Sequence, residues 1–205
     1  MNSDSLSARH KIAREAATLL YFGLEKEYKQ AKLKAAANLA VHVLPTNLEV
    51  ALELDQVAEE NEGAARTEHL IQMRTEALKI MKLLKAYCPV LIGSVWRGTI
   101  RRGSDIDISV YGDEPEEVVA ILKEHGLKIS RVERVTVAKH GKPTSSFHIH
   151  VVTWAQENAE IVVRDAEEDG RKRFCETFGD ELKGLRVQEL AKLLKENPEQ
   201  RFIPL

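Results

Sequence analysis

The sequence predicts a protein of the mixed α/β (α+β) class, with a small mixed β-sheet at its centre and helical extensions at both ends. Apolar residues recur at helical spacing in the first part of the chain, alternate at strand spacing in the middle, and return to helical spacing near the end. The 205 residues suffice for one compact domain with an appendage or for two small domains. We expect a helical region over 1–87, a core over 88–165 and a C-terminal helical extension over 166–205.

The composition is typical of a globular protein, because 43% of the residues are hydrophobic and 30% are charged. A formal net charge of −2 does not indicate nucleic acid as a partner, although a local basic patch stays open. Cys88 and Cys175 form neither a disulfide framework nor a zinc spacing, which favours a reducing cytoplasm. Without a signal-peptide pattern or a membrane-spanning apolar run, we expect a cytoplasmic protein with no membrane partner.

The first 87 residues are predicted to form three amphipathic helices. Pro45 interrupts the helical pattern, and Thr46 or Asn47 can cap the second helix. Gly63 is expected to end that helix, and the third follows it directly. The helices are expected to pack against one another or against the core, and a stand-alone bundle or a dimer interface is the alternative.

The apolar stripe of the first helix is predicted to continue unbroken from Leu19 through Tyr28 to Ala35. Tyr21 and Tyr28 are therefore interpreted as packing residues rather than as platforms for stacked bases. The lysines of KEYKQAKLKAA (residues 26–36) are interpreted as a solvated helix face, with an RNA-binding patch as the alternative.

The first half of the core is predicted to contain two strands and a helix. VLIGS (residues 90–94) is typical of a buried strand ended by glycine, and DIDISVYG (105–112) alternates aspartate with isoleucine at strand spacing. EPEEVVAILKEHG (114–126) indicates a short helix, because a proline stands near its start and a glycine at its end.

The second half of the core is predicted to contain two strands, over residues 127–154, joined by a turn around Gly141 and Pro143. Residues 165–197 are predicted to be mostly helical, most clearly in RVQELAKLLKEN (186–197).

Two carboxylates share one face of the second predicted strand. Asp105 and Asp107 are two residues apart, so their side chains point the same way and lie close together. Like charges at this separation raise each other's pKa unless a cation joins them. Mg²⁺ accepts one or two carboxylates and completes its coordination with water and phosphate oxygens, so the pair suits a hard divalent ion.

The segment before these carboxylates suits an anion. Gly93 allows the backbone to approach a ligand closely, and Ser94 is expected to open a short helix with free N–H groups. Arg97, Arg101 and Arg102 add positive charge. A phosphate-binding turn followed by a metal-binding strand is the equipment for phosphoryl or nucleotidyl transfer.

GSVWRG at residues 93–98 followed by SDIDI at 104–108 resembles the signature of the polymerase-beta-like nucleotidyltransferase superfamily. It is especially similar to the minimal prokaryotic type, in which Gly-Ser-x-x-Arg-Gly precedes Ser-Asp-Ile-Asp. The close resemblance covers only this part of the chain, with a looser topological match to about residue 155. It implies a short mixed sheet flanked by helices, and transfer of a nucleoside monophosphate from a nucleoside triphosphate to a hydroxyl or similar acceptor, with release of pyrophosphate.

The resemblance also implies roles by position. Ser94 would touch the triphosphate, Arg97 would contact phosphate or serve the structure, and Asp105 and Asp107 would hold Mg²⁺ or Mn²⁺. The residues expected to bind the nucleotide are Gly93, Ser94, Arg97 and Ser104.

Catalytic members of this superfamily usually carry a third acid on a later strand that lies next to the Asp-x-Asp strand. We expect SFHIHVV (residues 146–152) to take that place, with His148 at the position of the acid and His150 on the same face. Either histidine is then a metal ligand or a general base, and His148 is the candidate catalytic residue. Imidazole ligands would shift the metal preference from Mg²⁺ towards Mn²⁺ or Zn²⁺.

Two alternatives to a histidine in that position stay open. In one, the chemistry has been lost and the histidines only form ion pairs with the aspartates. In the other, the third acid comes from elsewhere, and the candidates are Glu133, Glu160 and Asp165.

The leading hypothesis is therefore a cytoplasmic, metal-dependent nucleotidyltransferase whose acceptor the sequence does not identify. The added helices would select the acceptor or build a homodimer. The runner-up is a catalytically degenerate, nucleotide-binding regulatory module of the antitoxin type, and a third option is a structural RNA-associated protein.

Overall fold

The computed structural model describes residues 3–41, 43–139 and 142–204, and it confirms the mixed α/β class. The helices are α1 (Ser3–Tyr21), α2 (Tyr28–Asn38), α3 (Asn47–Glu62), α4 (Ala64–Leu83), α5 (Gly93–Arg97), α6 (Pro115–Glu124) and α7 (Val187–Glu196). The strands are β1 (Val90–Ile92), β2 (Ile106–Tyr111), β3 (Lys128–Lys139), β4 (Lys142–Val152), β5 (Asn158–Arg164) and β6 (Leu185–Arg186). The predicted turn residue Gly141 lies outside the described residues.

The six strands form one mixed sheet in the order β3-β4-β5-β2-β1-β6. Strands β2 and β5 run parallel, and the other neighbouring pairs are antiparallel. The predicted alternation along β2 is confirmed, because Ile106, Ile108 and Val110 are fully buried while Asp107 stays partly accessible.

Four helices precede the sheet, so the prediction of three is wrong. The predicted unbroken stripe stops at Tyr21, and the chain passes through Gly23 in a left-handed conformation (φ +69°) before α2 begins. This bend lets Leu19 of α1 and Ala35 of α2 pack in the same hydrophobic cluster, together with Val50 of α3. We call α1, α2 and α3, together with the segments that connect them, the N-terminal helical unit.

The limits of α3 agree with the sequence prediction. Thr46 caps the helix, since its Oγ1 accepts a hydrogen bond from Glu49 N at 3.1 Å and its own N donates to Glu49 Oε2 at 2.6 Å. Gly63 follows the last residue of the helix, as expected.

A second, larger hydrophobic cluster lies against the sheet. It combines Met73 and Ile80 of α4, Leu122 of α6 and Leu190 of α7 with the buried residues of the strands. The fourth helix therefore packs on the sheet and not only on the other N-terminal helices.

The region after β5 is less helical than predicted. Between residues 165 and 184 it contains one short 3₁₀ turn, Ala166–Glu168, and only α7 confirms the expected helix. The segment DAEEDGRKR (165–173) contains a single apolar residue, so it offers no face that a helix could bury. Among the described residues, no helix is both long and apolar enough to cross a membrane.

Candidate active site

The ends of three strands bring the predicted residues together at one edge of the sheet. Ile92, the last residue of β1, pairs with Asp107 of β2, so the turn at Gly93 starts beside this aspartate. On the other side of β2, Asp107 is directly opposite Glu160 of the parallel strand β5. The Gly-Ser turn, the Asp-x-Asp strand and a further acid therefore meet.

Gly93 is in direct apposition to the Asp107 carboxylate. Its φ of +72° is unfavourable for other residues, and a Cβ atom there would lie 2.9 Å from Asp107 Cγ and closer still to Oδ2. The sequence predicts that Gly93 lets the backbone approach a ligand. In the structure, the absence of a side chain at Gly93 lets the backbone approach the Asp107 carboxylate. After Gly93, Ser94 lies in the first turn of α5, which confirms the predicted short helix.

The three carboxylates at this edge repel one another. Burial, followed by the charges of Glu160 and Asp105, raises the pKa of Asp107 to about 7. Partial desolvation and Glu160 also raise the pKa of Asp105, while His150 and Asn158 act in the opposite direction. Such concentrated negative charge is relieved by protonation or by a cation.

The strand that carries His148 is not next to the Asp-x-Asp strand, so this expectation is wrong. His148 and His150 are in β4, and β5 separates β4 from β2. The acid next to Asp107 is Glu160, one of the three alternatives that the sequence offered. Of the other two, Asp165 lies beyond the opposite end of β5, and Glu133 lies in β3, at the far side of β4.

Both histidines contact Glu160. His148 Nδ1 lies 2.6 Å from Glu160 Oε1, and its Nε2 lies 3.0 Å from Ser146 Oγ. His150 Nε2 lies 3.4 Å from Glu133 Oε1 and 3.7 Å from Glu160 Oε1. Within the described chain, neither histidine forms an ion pair with Asp105 or Asp107, so the histidines act on the aspartates through Glu160 or across space.

The Arg97 guanidinium is engaged in structural contacts. It is buried, with Nη2 at 2.6 Å from Asp180 Oδ1 and Nη1 at 2.9 Å from the carbonyl of Phe202. It also stacks on the rings of Trp96 and Phe178, at 4.5 and 4.3 Å from their centroids. Of the two predicted roles, these contacts correspond to the structural one.

Ser104 closes the turn that leads into β2. Its Oγ accepts a hydrogen bond from Arg101 N at 3.0 Å, and its N donates to the carbonyl of Arg101 at 2.9 Å. This turn therefore fixes Arg101 five residues before Ile106, where β2 begins to pair.

A cleft of about 270 Å³ adjoins the Gly-Ser turn. All four residues predicted to bind the nucleotide line it, and three parts of the chain form its walls. The N-terminal helical unit contributes Lys26 and Tyr28, which the sequence predicts to be a solvated and a packing residue. The remaining wall residues are Leu20, Ala51, Leu54, Asp55, Thr99, Arg101, Cys175, Thr177 and Phe178.

The donor atoms at the sheet edge fit a hard cation by chemical type. Asp105, Asp107 and Glu160 offer carboxylate oxygens, which Mg²⁺ prefers, and Glu160 already shares one oxygen with His148. In the part of the chain that the structure describes, however, no group of three or more His, Cys, Asp or Glu side chains is arranged to hold a metal ion. The predicted set of Asp105, Asp107, His148 and His150 is therefore not gathered around one point.

A comparison with protein-family models supports the resemblance seen in the sequence. Residues 75–174 match the family model described as nucleotidyltransferase domain, a range that contains the Gly-Ser turn and all three carboxylates. No curated protein matches the chain. Among solved structures, the chain is similar to Cid1 in complex with the UTP analogue UMPNPP, with 14% identity and a TM-score of 0.32. That match covers 56% of this chain and 36% of the Cid1 chain, so it spans little more than a third of the latter.

Proposed function

We propose that this chain, whose residues 75–174 match the nucleotidyltransferase domain model, belongs to the polymerase-beta-like superfamily and transfers a nucleoside monophosphate from a nucleoside triphosphate to an acceptor in a metal-dependent reaction. The observation that supports the proposal is the meeting of the Gly93–Ser94 turn, Asp107 and Glu160 at one sheet edge beside a cleft. In the reaction, an acceptor oxygen attacks the α-phosphorus, pyrophosphate leaves, and the proton of the acceptor passes to a base.

The residues at this edge of the sheet would have different roles in the reaction. Ser94 and the backbone N–H groups of the first turn of α5 would contact the phosphates. Asp105 and Asp107 would hold Mg²⁺ or Mn²⁺, which neutralises charge on the phosphates when bound. We assign the position of the third acid to Glu160 in place of His148, because Glu160 is the residue beside Asp107.

His148 then acts on Glu160. The 2.6 Å separation between Nδ1 and Oε1 fixes one oxygen of the carboxylate, and Ser146 holds the other side of the ring. Such a hydrogen bond orients a carboxylate for the acceptance of a proton or a cation. His148 is a positioning residue in this proposal.

A regulatory, nucleotide-binding module is the second candidate. Two observations favour it: one oxygen of Glu160 is taken up by His148, and the acidic side chains of the described chain are not gathered around a metal position. Such a protein would bind a nucleoside triphosphate without converting it.

Incubation of the full chain with each of the four nucleoside triphosphates, labelled at the α-phosphate, separates the two candidates. With Mg²⁺ or Mn²⁺ the enzyme is expected to release pyrophosphate and to move the label to an acceptor or to water. Asp105→Asn and Asp107→Asn should abolish the release. Asp113→Asn, past the other end of β2, is the matched control and should retain it. Tight triphosphate binding without turnover under all conditions would favour the regulatory module.

A further inference from the structure

We infer that the N-terminal helical unit completes the phosphate site, with Lys26 and Arg101 binding the β- and γ-phosphates of the nucleoside triphosphate. This inference rests on the proposed function and names the part of the substrate that the cleft receives. Lys26 precedes α2, whereas Arg101 follows α5, so the two cations come from different units of the fold.

The cleft begins where the reacting phosphate is expected. Gly93 and Ser94 line it, and Asp107 lies directly against Gly93. An α-phosphate placed at the carboxylates would therefore have its β- and γ-phosphates extending along the cleft. The hydroxyl groups of Thr99, Ser104 and Thr177 are further lining groups, and hydroxyls donate hydrogen bonds to phosphate oxygens.

The charge balance of the cleft favours an anion. Lys26 and Arg101 line the cleft, and no ion pair involves either of them within the described chain. The carboxylate of Asp55, which also lines the cleft, is neutralised by Arg66 and Arg201. A triphosphate tail would supply the negative charge that these two cations lack.

The part of the cleft wall formed by α3 is fixed against the core. Arg66 of α4 is buried, donates a hydrogen bond from Nε to the carbonyl of Ile100 at 2.7 Å, and forms an ion pair with Asp55 of α3. Burial raises the pKa of the Tyr28 hydroxyl, while the nearby Arg101 guanidinium lowers it. The positive charge of Arg101 therefore acts on the wall that carries Tyr28. A pre-positioned cation can stabilise the charge that develops on leaving pyrophosphate.

The lining of the cleft argues for phosphates rather than for a nucleobase. The Tyr28 ring packs against the hydrophobic cluster of the N-terminal helical unit, and the Phe178 ring is covered on one side by Arg97. Each ring is therefore partly covered by the protein itself, whereas the cations and the hydroxyl-bearing residues line the cleft.

Titration calorimetry on the full chain at about 0.15 M salt tests the inference, because distant charges are screened there. The ligands are ATP, GTP, CTP and UTP with Mg²⁺, the corresponding monophosphates, and inorganic pyrophosphate. We expect Lys26→Ala and Arg101→Ala each to weaken binding of the preferred triphosphate and of pyrophosphate about tenfold, the loss of one charge-assisted contact. Binding of the monophosphate should change less than about twofold.

Two exposed neighbours provide matched controls. Lys29→Ala removes a lysine from the first turn of α2, and Arg102→Ala removes the arginine after Arg101, and neither residue lines the cleft. Both controls should bind triphosphate like the wild type. Lys26→Arg should retain most of the affinity, because it keeps the charge, and thermal melting of every variant checks that the fold is intact.

The outcomes separate this inference from the proposed function. If the wild type binds a triphosphate and the cleft variants bind it as tightly as the control variants, the inference alone is overturned. If Lys26→Ala weakened the binding of monophosphate and triphosphate equally, the inference would also be overturned, because the Lys26 side chain would then not contact the β- and γ-phosphates. If the wild type binds no triphosphate and no pyrophosphate, the proposed function fails and the inference fails with it.

Discussion

The carboxylate of Asp107 occupies the space that any side chain at residue 93 would need. A Cβ atom built on Gly93 would lie 2.9 Å from Asp107 Cγ, closer than real Cβ atoms approach a neighbour. The Gly-Ser turn is thus fixed by its contact with an acid on the following strand, β2, and not only by the needs of a ligand. Glycine here couples the geometry of the turn to that of the carboxylates.

Gly93→Ala is expected to displace Asp107 and to abolish turnover. Gly103→Ala is the matched control, since Gly103 also has a positive φ (+79°) but has no atom within 4 Å of its would-be Cβ. The control should cost only the backbone strain, about 1–2 kcal/mol, and should remain active. Urea denaturation and pyrophosphate release measure the two effects. Equal stability and activity of the two variants would contradict the proposed contact.

Asp107→Asn is expected to stabilise the nucleotide-free protein while it removes activity. The pKa of Asp107 is raised from 3.8 to about 7, so the folded protein holds this proton more tightly than the unfolded chain does. The free energy of unfolding of the wild type therefore falls as the pH rises from about 4 to about 7. The asparagine variant has no titratable group at this position, so its free energy of unfolding does not fall for this reason. We expect a gain of about 1–2 kcal/mol at pH 8 that shrinks towards pH 4.

Urea denaturation of both proteins across this pH range, without nucleotide or metal, provides the measurement. A difference in stability that does not change with pH, or a less stable asparagine variant at pH 8, would show that Asp107 carries no uncompensated charge. Added Mg²⁺ with a triphosphate should reverse the order and stabilise the wild type more, because a ligand that binds only the folded state stabilises it.

Glu160 and His148 should differ in the size and the kind of their effects. Glu160→Gln is expected to reduce turnover at least about 100-fold, as removal of an acid from the reacting centre does. His148→Ala should reduce it about tenfold with an unchanged preference between Mg²⁺ and Mn²⁺, and His148→Gln should recover part of the loss by bonding to Glu160. A changed metal preference in His148→Ala would instead make this histidine a ligand.

Arg97 is expected to serve stability, through the ion pair of its buried guanidinium with the partly exposed carboxylate of Asp180. Arg97→Ala and Asp180→Ala should each lower the free energy of unfolding by about 3 kcal/mol, and the double variant should lose much less than the sum. The double-variant cycle by urea denaturation gives this coupling. If Asp180→Ala is as stable as the wild type while Arg97→Ala weakens triphosphate binding, then Arg97 contacts phosphate.

The local parts of the fold and the site could be predicted from the sequence. The alternation in DIDISV and the Gly-Ser pair before it depend on neighbouring residues, and the structure places Gly93 beside Asp107 as a consequence. The third acid depends on strand order, which periodicity does not encode. The strand with His148 precedes the strand with Glu160 in sequence, yet the latter inserts beside Asp107.

The N-terminal half shows a second limit of periodicity. Leu19, Tyr28 and Ala35 keep helical spacing across a break, because Leu19 and Ala35 pack in one cluster on either side of the bend at Gly23. The bend brings Lys26 and Tyr28 to the cleft, a position that a continuous solvated helix would not give them.

Binding of Mn²⁺, followed by electron paramagnetic resonance in the presence of a non-hydrolysable triphosphate, tests most directly whether the acidic sheet edge and the turn hold a cation and its nucleotide together. We predict that the wild type binds Mn²⁺ much more tightly with the analogue than without it. The double variant Asp105→Asn/Asp107→Asn should lose this enhancement, and Asp113→Asn should keep it. An enhancement that survives in the double variant, or that is absent from the wild type, would contradict the account.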